Sequence, residues 1–290
     1  MFTYFQDRKY TKMKALLNKP LFTSILAAFC LWAGWPSSPA FPLLFVGMAF
    51  FLRTAYVLVE QRASGFRYFG VLYVGLLLWN VLCTWWIYYA TLGGVLMAVI
   101  ANSALMTIPF FCYRLAIKAK VPKLAVFFFL LSWLGFEYIH HNWSLSWPWL
   151  TLGNALAKFP GIIQWYEYTG TAGGSFWVLM MAIVLFSIIS EFKKIQLGTL
   201  AALFVLPMLI SVLIESQAKS RLEGNKKKIE VVVLQPNYNT FFLKLDHNKN
   251  GSNKKSPAIA GLYIYLKKIV LFITQEFFLL DTSRLTKAAT

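Results

Sequence analysis

Cysteine and charge are the two things this chain has least of. Of 290 residues, three are Cys, 13% are charged, and acidic side chains number 11 against 28 basic ones. Cys30, Cys83 and Cys112 all fall within apolar stretches, so no disulfide framework is available outside them. A thiol in apolar surroundings carries little thiolate, and these three read as packing residues. The charge deficit accompanies 58% hydrophobic residues and a mean hydropathy of +0.58. A soluble domain of this length cannot hide that much apolar surface, so part of the solvent must be lipid.

A spanning helix needs about 20 mostly apolar residues. Seven segments qualify or come close: 20–34, 40–59, 67–88, 92–113, 124–140, 174–190 and 196–214. The first is short and bounded by Pro. It does not read as a cleavable leader, because the chain stays hydrophobic after it and Trp32-Ala33-Gly34-Trp35-Pro36 is a poor cleavage site. The expected fold class is therefore an all-α membrane protein, a polytopic helical bundle of about seven spans.

The basic residues set the expected orientation. Arg8, Lys9, Lys12, Lys14 and Lys19 precede the first segment. Arg53, Arg62 and Arg67 flank the second connection, Arg114, Lys118, Lys120 and Lys123 the fourth, and Lys193 and Lys194 the sixth. The opposite short connections hold only Lys158. Basic residues favour the cytoplasmic side, which predicts a cytoplasmic N-terminus and an external C-terminal tail. The net charge of +17 thus reflects topology and a basic tail rather than a nucleic-acid groove.

Three parts are expected: a transmembrane bundle over 1–215 with a long external loop at 141–173, a polar linker at 216–228, and a short segment at 229–290. The run Ile229 to Asn237, IEVVVLQPN, reads as a buried strand ended by a turn. Residues 246–257 show no core pattern. Residues 259–280 are apolar but carry Lys267, Lys268 and Glu276. Two lysines near the centre of a span cost about 2.5–3.5 kcal/mol each, so an interfacial amphipathic helix fits better.

Candidate chemistry is thin. His140 and His141 are adjacent, so on a helix they point about 100° apart and cannot ligate one metal as an i, i+4 pair could. No cofactor or metal site is expected. Glu60, Glu137, Glu191 and Glu215 lie near the ends of spans, where a carboxylate can reach water. Glu137 is the most interesting of them, standing before the long loop with both histidines. Asn80 and Asn102 lie within spans, where interhelical hydrogen bonding is the expected role.

The densest signal is Ser144 to Trp177, SLSWPWLTLGNALAKFPGIIQWYEYTGTAGGSFW. An aromatic belt at the headgroups accounts for Trp and Tyr. It does not account for Pro and Gly at set places, which specify a shaped backbone. Trp147-Pro148-Trp149-Leu150-Thr151-Leu152-Gly153-Asn154, then Ile163 to Gly170, then Gly173-Gly174-Ser175-Phe176, resembles apolipoprotein N-acyltransferase. The likeness covers about residues 20–240, and IEVVVLQPN is similar to the opening strand of that family's nitrilase-like domain. The expected fold thus includes a short remnant of an α/β domain.

The resemblance implies a multi-pass protein of the bacterial inner membrane whose tail is periplasmic. It implies phospholipid and diacylated lipoprotein as partners, not nucleic acid. An acyl chain would pass from the phospholipid to the lipoprotein's N-terminal cysteine through an enzyme thioester, assisted by Glu and Lys. A thiolate suits this because it is both a good nucleophile and a good leaving group. Here no Cys follows Cys112, and the stretch that should bear the Glu–Lys–Cys set is missing, so no catalytic residue carries over. The chain is expected to be a truncated family member, inactive alone, such as a frameshift or early stop would leave. Trp147, Pro148, Trp149, Gly153, Asn154, Tyr168 and Gly170 are expected to shape a substrate or docking floor. The alternatives are a small-solute transporter, for which Asn80 and Asn102 are the support, or a non-catalytic scaffold whose basic tail meets anionic lipid.

Overall fold

The computed structural model describes residues 15–35, 38–89, 92–143 and 147–223. The expected strand at Ile229–Asn237 and the expected amphipathic helix at 259–280 lie outside these residues. Within them there is no strand, and eight α-helices follow one another: α1 (Pro20–Gly34), α2 (Leu43–Glu60), α3 (Gly65–Thr84), α4 (Leu92–Leu105), α5 (Ile108–Lys118), α6 (Pro122–Asn142), α7 (Tyr166–Ser190) and α8 (Lys194–Glu223). Six stretches are long and apolar enough to cross a membrane, with α4 and α5 counted as one, and α1 is a seventh, shorter apolar helix.

Helix α1 has 15 residues, a rise of about 22 Å against a hydrocarbon core of about 30 Å. It is held by close packing rather than by length. Thr23, Ser24, Ala27 and Ala28 are fully buried. The Ser24 hydroxyl donates to the Val71 carbonyl of α3 at 2.8 Å, and the Thr23 and Thr54 hydroxyls meet at 2.7 Å. Small residues let backbones approach where lipid supplies no hydrophobic drive between helices.

Prolines set two departures from straight spans. The expected fourth span is broken between Leu105 and Ile108, just before Pro109. A prolyl ring clashes with the carbonyl four residues earlier, here that of Leu105, and disfavours helical geometry at the residue before it. The second half then runs on to Lys118, so Arg114 is helical and buried instead of lying in a connection. Its guanidinium donates to the Ala63 carbonyl at 2.6 Å and lies 4.7 Å from the Tyr68 ring centre. In α8, Pro207 cannot donate to the Leu203 carbonyl. The Trp177 indole of α7 does so instead, at 2.7 Å, which satisfies an acceptor that lipid could not.

The core is aromatic. Phe45, Trp177 and Phe204 join α2, α7 and α8, while Phe110, Phe129 and Trp133 join α5 and α6. Trp79 of α3 packs edge-on to Trp35, 5.6 Å between ring centres.

Candidate functional site: a folded cap on one end of the bundle

The segment 147–165 is built rather than spanning. Pro148–Leu150, Leu152–Leu156 and Pro160–Ile162 are single 3-10 turns. Leu150, Leu152, Ala155 and Leu156 are buried in the same core as the helices. Apolar residues spaced along these turns face the bundle, and the intervening Ala157, Lys158, Pro160 and Gly161 are exposed. The cap is therefore partly core, beyond the shaped aromatic surface that was expected.

Glu137 holds it down. The side chain is 6% exposed although it lies five residues from the end of α6. The expectation that it reaches water fails because the 3-10 turns fold back over it. Its Oε1 accepts from the Trp133 indole at 3.0 Å and from the Leu152 amide at 2.9 Å. Oε2 is buried with no hydrogen-bond partner. The Ser175 hydroxyl faces the same carboxyl. Its oxygen accepts from the Gly153 amide at 2.9 Å, and the Tyr166 hydroxyl donates to the Gly153 carbonyl at 2.9 Å. Both polar groups of Gly153 are thereby satisfied by α7, in a place water does not reach.

Gly153 is required here by space. A Cβ on it would overlap the Thr171 carbonyl oxygen and lie 3.2 Å from the Ser175 nitrogen. A Cβ on Gly174 would overlap the Tyr166 hydroxyl. Helix α7 begins at Tyr166 rather than near residue 174, and it bends at Gly170, whose φ of 62° and ψ of −167° belong to a region open essentially to glycine alone. One helical turn, Tyr166–Thr169, thus precedes the bend and brings the Tyr166 hydroxyl back to Gly153. Hydropathy missed this turn because its residues are polar and Gly-flanked.

The seven residues expected to form a floor separate into three kinds. Gly153 is buried, and Asn154 donates to the Pro148 carbonyl at 3.1 Å, closing the turn between them. The Trp147 amide donates to the His140 carbonyl at 3.4 Å, which starts the cap off the end of α6. Trp149 is half exposed and meets Trp86 edge-on at 5.1 Å. Tyr168 is 74% exposed beside Gly170, away from the buried contacts. Glu137, Ser175 and Tyr166 organise the cap and were not among the seven. An acid one helical turn before a Gly- and Pro-rich loop was the available signal for the first.

The two histidines do point apart. His140 Nε2 meets Asn102 Oδ1 at 2.8 Å, and His141 Nε2 meets Thr151 Oγ1 at 3.0 Å. Because an amide oxygen only accepts, His140 carries its proton on Nε2. Asn102 then donates to Asn80 Oδ1 at 2.7 Å, an interhelical bond of the kind expected for these two residues. Among the described residues no group of His, Cys, Asp or Glu could hold a metal ion. All three cysteines are free and lie in helices. The hydrogen bonds of Glu137, Ser175 and Tyr166 position the loop.

Bundle and cap together define a multi-pass α-helical membrane protein with a folded platform at one end. A sequence profile of the apolipoprotein N-acyltransferase N-terminal domain matches residues 27–184, and the chain belongs to that family. The apolipoprotein N-acyltransferase of Chlorobaculum tepidum is 24% identical over 230 residues, covering 77% of this chain and 42% of that protein. The chain thus spans less than half the length of the curated relative it matches. No solved structure matches it.

Proposed function

We propose that this chain is the membrane-embedded part of an apolipoprotein N-acyltransferase-like protein of the bacterial inner membrane, with the cap 147–165 as the floor on which a catalytic domain or substrate rests. The relative's name supplies the reaction class: transfer of an acyl group to an apolipoprotein amine, with phospholipid the acyl donor that the family resemblance implies. The observation that carries the reading is the Gly153 anchorage, in which both backbone polar groups of one loop residue are held by α7 within the matched segment. A connection with no role as a surface would need no such fixing.

Orientation follows from charge. Lys19, Arg62, Arg67, Arg114, Lys193 and Lys194 gather at the ends of helices opposite the cap, which favours a periplasmic cap and a cytoplasmic N-terminus. Helix α8 runs on to Glu223, so the expected linker 216–228 begins as the end of that helix; in this reading it leads to 229–290 as a periplasmic segment, the start of the nitrilase-like part.

The chain alone is inactive in this reading. A thioester needs an accessible thiolate, and Cys30, Cys83 and Cys112 lie in apolar helices. The purified chain incubated with radiolabelled phospholipid should form no hydroxylamine-sensitive acyl adduct. A labelled Cys found by mass spectrometry would overturn this.

A further inference from the structure

A cavity of about 640 Å³ opens where α1 and α3 end, a volume within the range of small-ligand sites. Trp32 and Trp35 line it from the end of α1, and Trp85 and Trp86 from the 3-10 turn Trp85–Tyr89 that follows α3, with Ser38 and Cys83 beside them. It lies at the cap end of the bundle, because Trp86 meets Trp149 of the cap. Among the described residues no charged side chain lines it. An aromatic belt sets Trp residues singly against the headgroups. Here four Trp side chains line one cavity, and each is held by a contact of its own. Trp32 meets Phe29 edge-on at 6.4 Å, Trp35 meets Trp79 at 5.6 Å, and Trp85 meets Tyr89 at 6.0 Å. The Trp86 indole donates to the Cys83 carbonyl at 3.1 Å. Trp32, Trp85 and Trp86 nonetheless stay half exposed. Rings fixed by their neighbours around a shared open space are preorganised for a ligand.

We propose that this cavity holds the alkylammonium end of a zwitterionic phospholipid headgroup. An aromatic face attracts a cation, Trp does so best, and several such faces around one space suit a quaternary ammonium. The lining offers no carboxylate to hold a small, strongly hydrated cation, so the fit is to a cation whose surface is largely methyl or methylene. Depth supplies the source. Two apolar helices end here, which places the cavity in the headgroup layer, where zwitterionic lipid carries its ammonium. Ser38, whose oxygen accepts from the Ala40 amide at 3.1 Å, can donate its own proton to the neighbouring phosphate. Lys19, Arg62 and Arg67, which would repel a cation, lie at the opposite ends of these two helices. The inference rests on the bundle lying in a membrane and not on the acyltransferase reading.

The full chain is prepared in dodecyl maltoside, a detergent without ammonium, with 5-fluorotryptophan in place of Trp. The 19F resonances of Trp32 and Trp85 are assigned by Trp32→Phe and Trp85→Phe. Dihexanoylphosphatidylcholine, kept below its micelle threshold, should shift both resonances saturably. Dihexanoylphosphatidylglycerol, with the same chains and no ammonium, should not. Choline chloride should shift them only at higher concentration, and its neutral isostere 3,3-dimethylbutanol should leave them in place. Trp32→Leu and Trp85→Leu, each read at the other resonance, should weaken the affinity for the choline lipid about two- to fivefold, as loss of one exposed cation–π contact does. Both positions are half exposed; helical circular dichroism checks that each variant folds, and if one does not, the other decides. Choline acting as strongly as the lipid would assign the cavity to a free alkylammonium and overturn the headgroup assignment. An equal shift from phosphatidylglycerol or from 3,3-dimethylbutanol, no shift from the choline lipid, or an affinity unchanged in the folded variants overturns the proposal.

Discussion

Replacing Gly153 with Ala adds one methyl group where no room exists. The new Cβ would overlap the Thr171 carbonyl oxygen, which belongs to backbone and cannot rotate away. Either α7 and the cap separate, or the cap lifts. Overpacking of this kind costs about 1–3 kcal/mol. If the cap lifts, the bonds Gly153 N to Ser175, Tyr166 to Gly153 O and Leu152 N to Glu137 weaken together, at about 0.5–1.5 kcal/mol each. Only one route is followed, so the expected loss is about 1–4 kcal/mol. At about 2–4 °C per kcal/mol for a chain of this size, the melting temperature should fall by roughly 2–16 °C. Helical circular dichroism in one detergent measures this, and trypsin cutting at the exposed Lys158 reports whether the cap lifts. Gly198→Ala is the control. Nothing lies within 4 Å of a Cβ there, and the site is inside α8, so it should be neutral or stabilising by up to ~1 kcal/mol. A Gly153→Ala protein that melts with the parent and is cut no faster would refute the packing described for the cap.

Gly170→Ala adds a methyl into open space but into a backbone region that alanine avoids, so it should cost about 1–3 kcal/mol and move the Tyr166 turn, read as lost protection of the Tyr166 hydroxyl or faster proteolysis near it. Trp177→Phe strips the Leu203 carbonyl of its donor, at about 1–3 kcal/mol. The same change in a Pro207→Ala background should cost less, because a restored amide at 207 can donate to Leu203; equal costs in both backgrounds would sink that pairing.

Much of the fold was legible because lipid imposes a coarse rule. Seven apolar stretches were visible as such, and their core positions hardly mattered to finding them. The ends were less legible. Hydropathy ended the fourth span at residue 113 and opened the sixth at 174, whereas the helices run to Lys118 and start at Tyr166. Helical geometry at those ends is stabilised by partners rather than by composition: Arg114 by the Ala63 carbonyl, and Tyr166 by Gly153. For the site, Gly153 and Gly170 stood out as backbone requirements, and each has a distinct cause, a close approach in one and a positive φ in the other. Glu137 was read as reaching water because helix position alone says so. Nothing in its neighbours along the chain tells that residues 150–156 fold back onto it.

The sequence by itself determined that this is a helical membrane protein, which family its Trp147–Phe176 motifs resemble, and that its three thiols sit in apolar stretches, since each depends only on residue type and local order. The tertiary structure alone decided that the aromatic loop is a packed cap, that Glu137 is buried with one oxygen engaged twice and the other idle, and that His140 and His141 serve different partners. Those facts depend on contacts across 10 or more positions, such as Glu137 with Leu152 and His140 with Asn102, and the free energy of such a contact is set by geometry that no local pattern encodes.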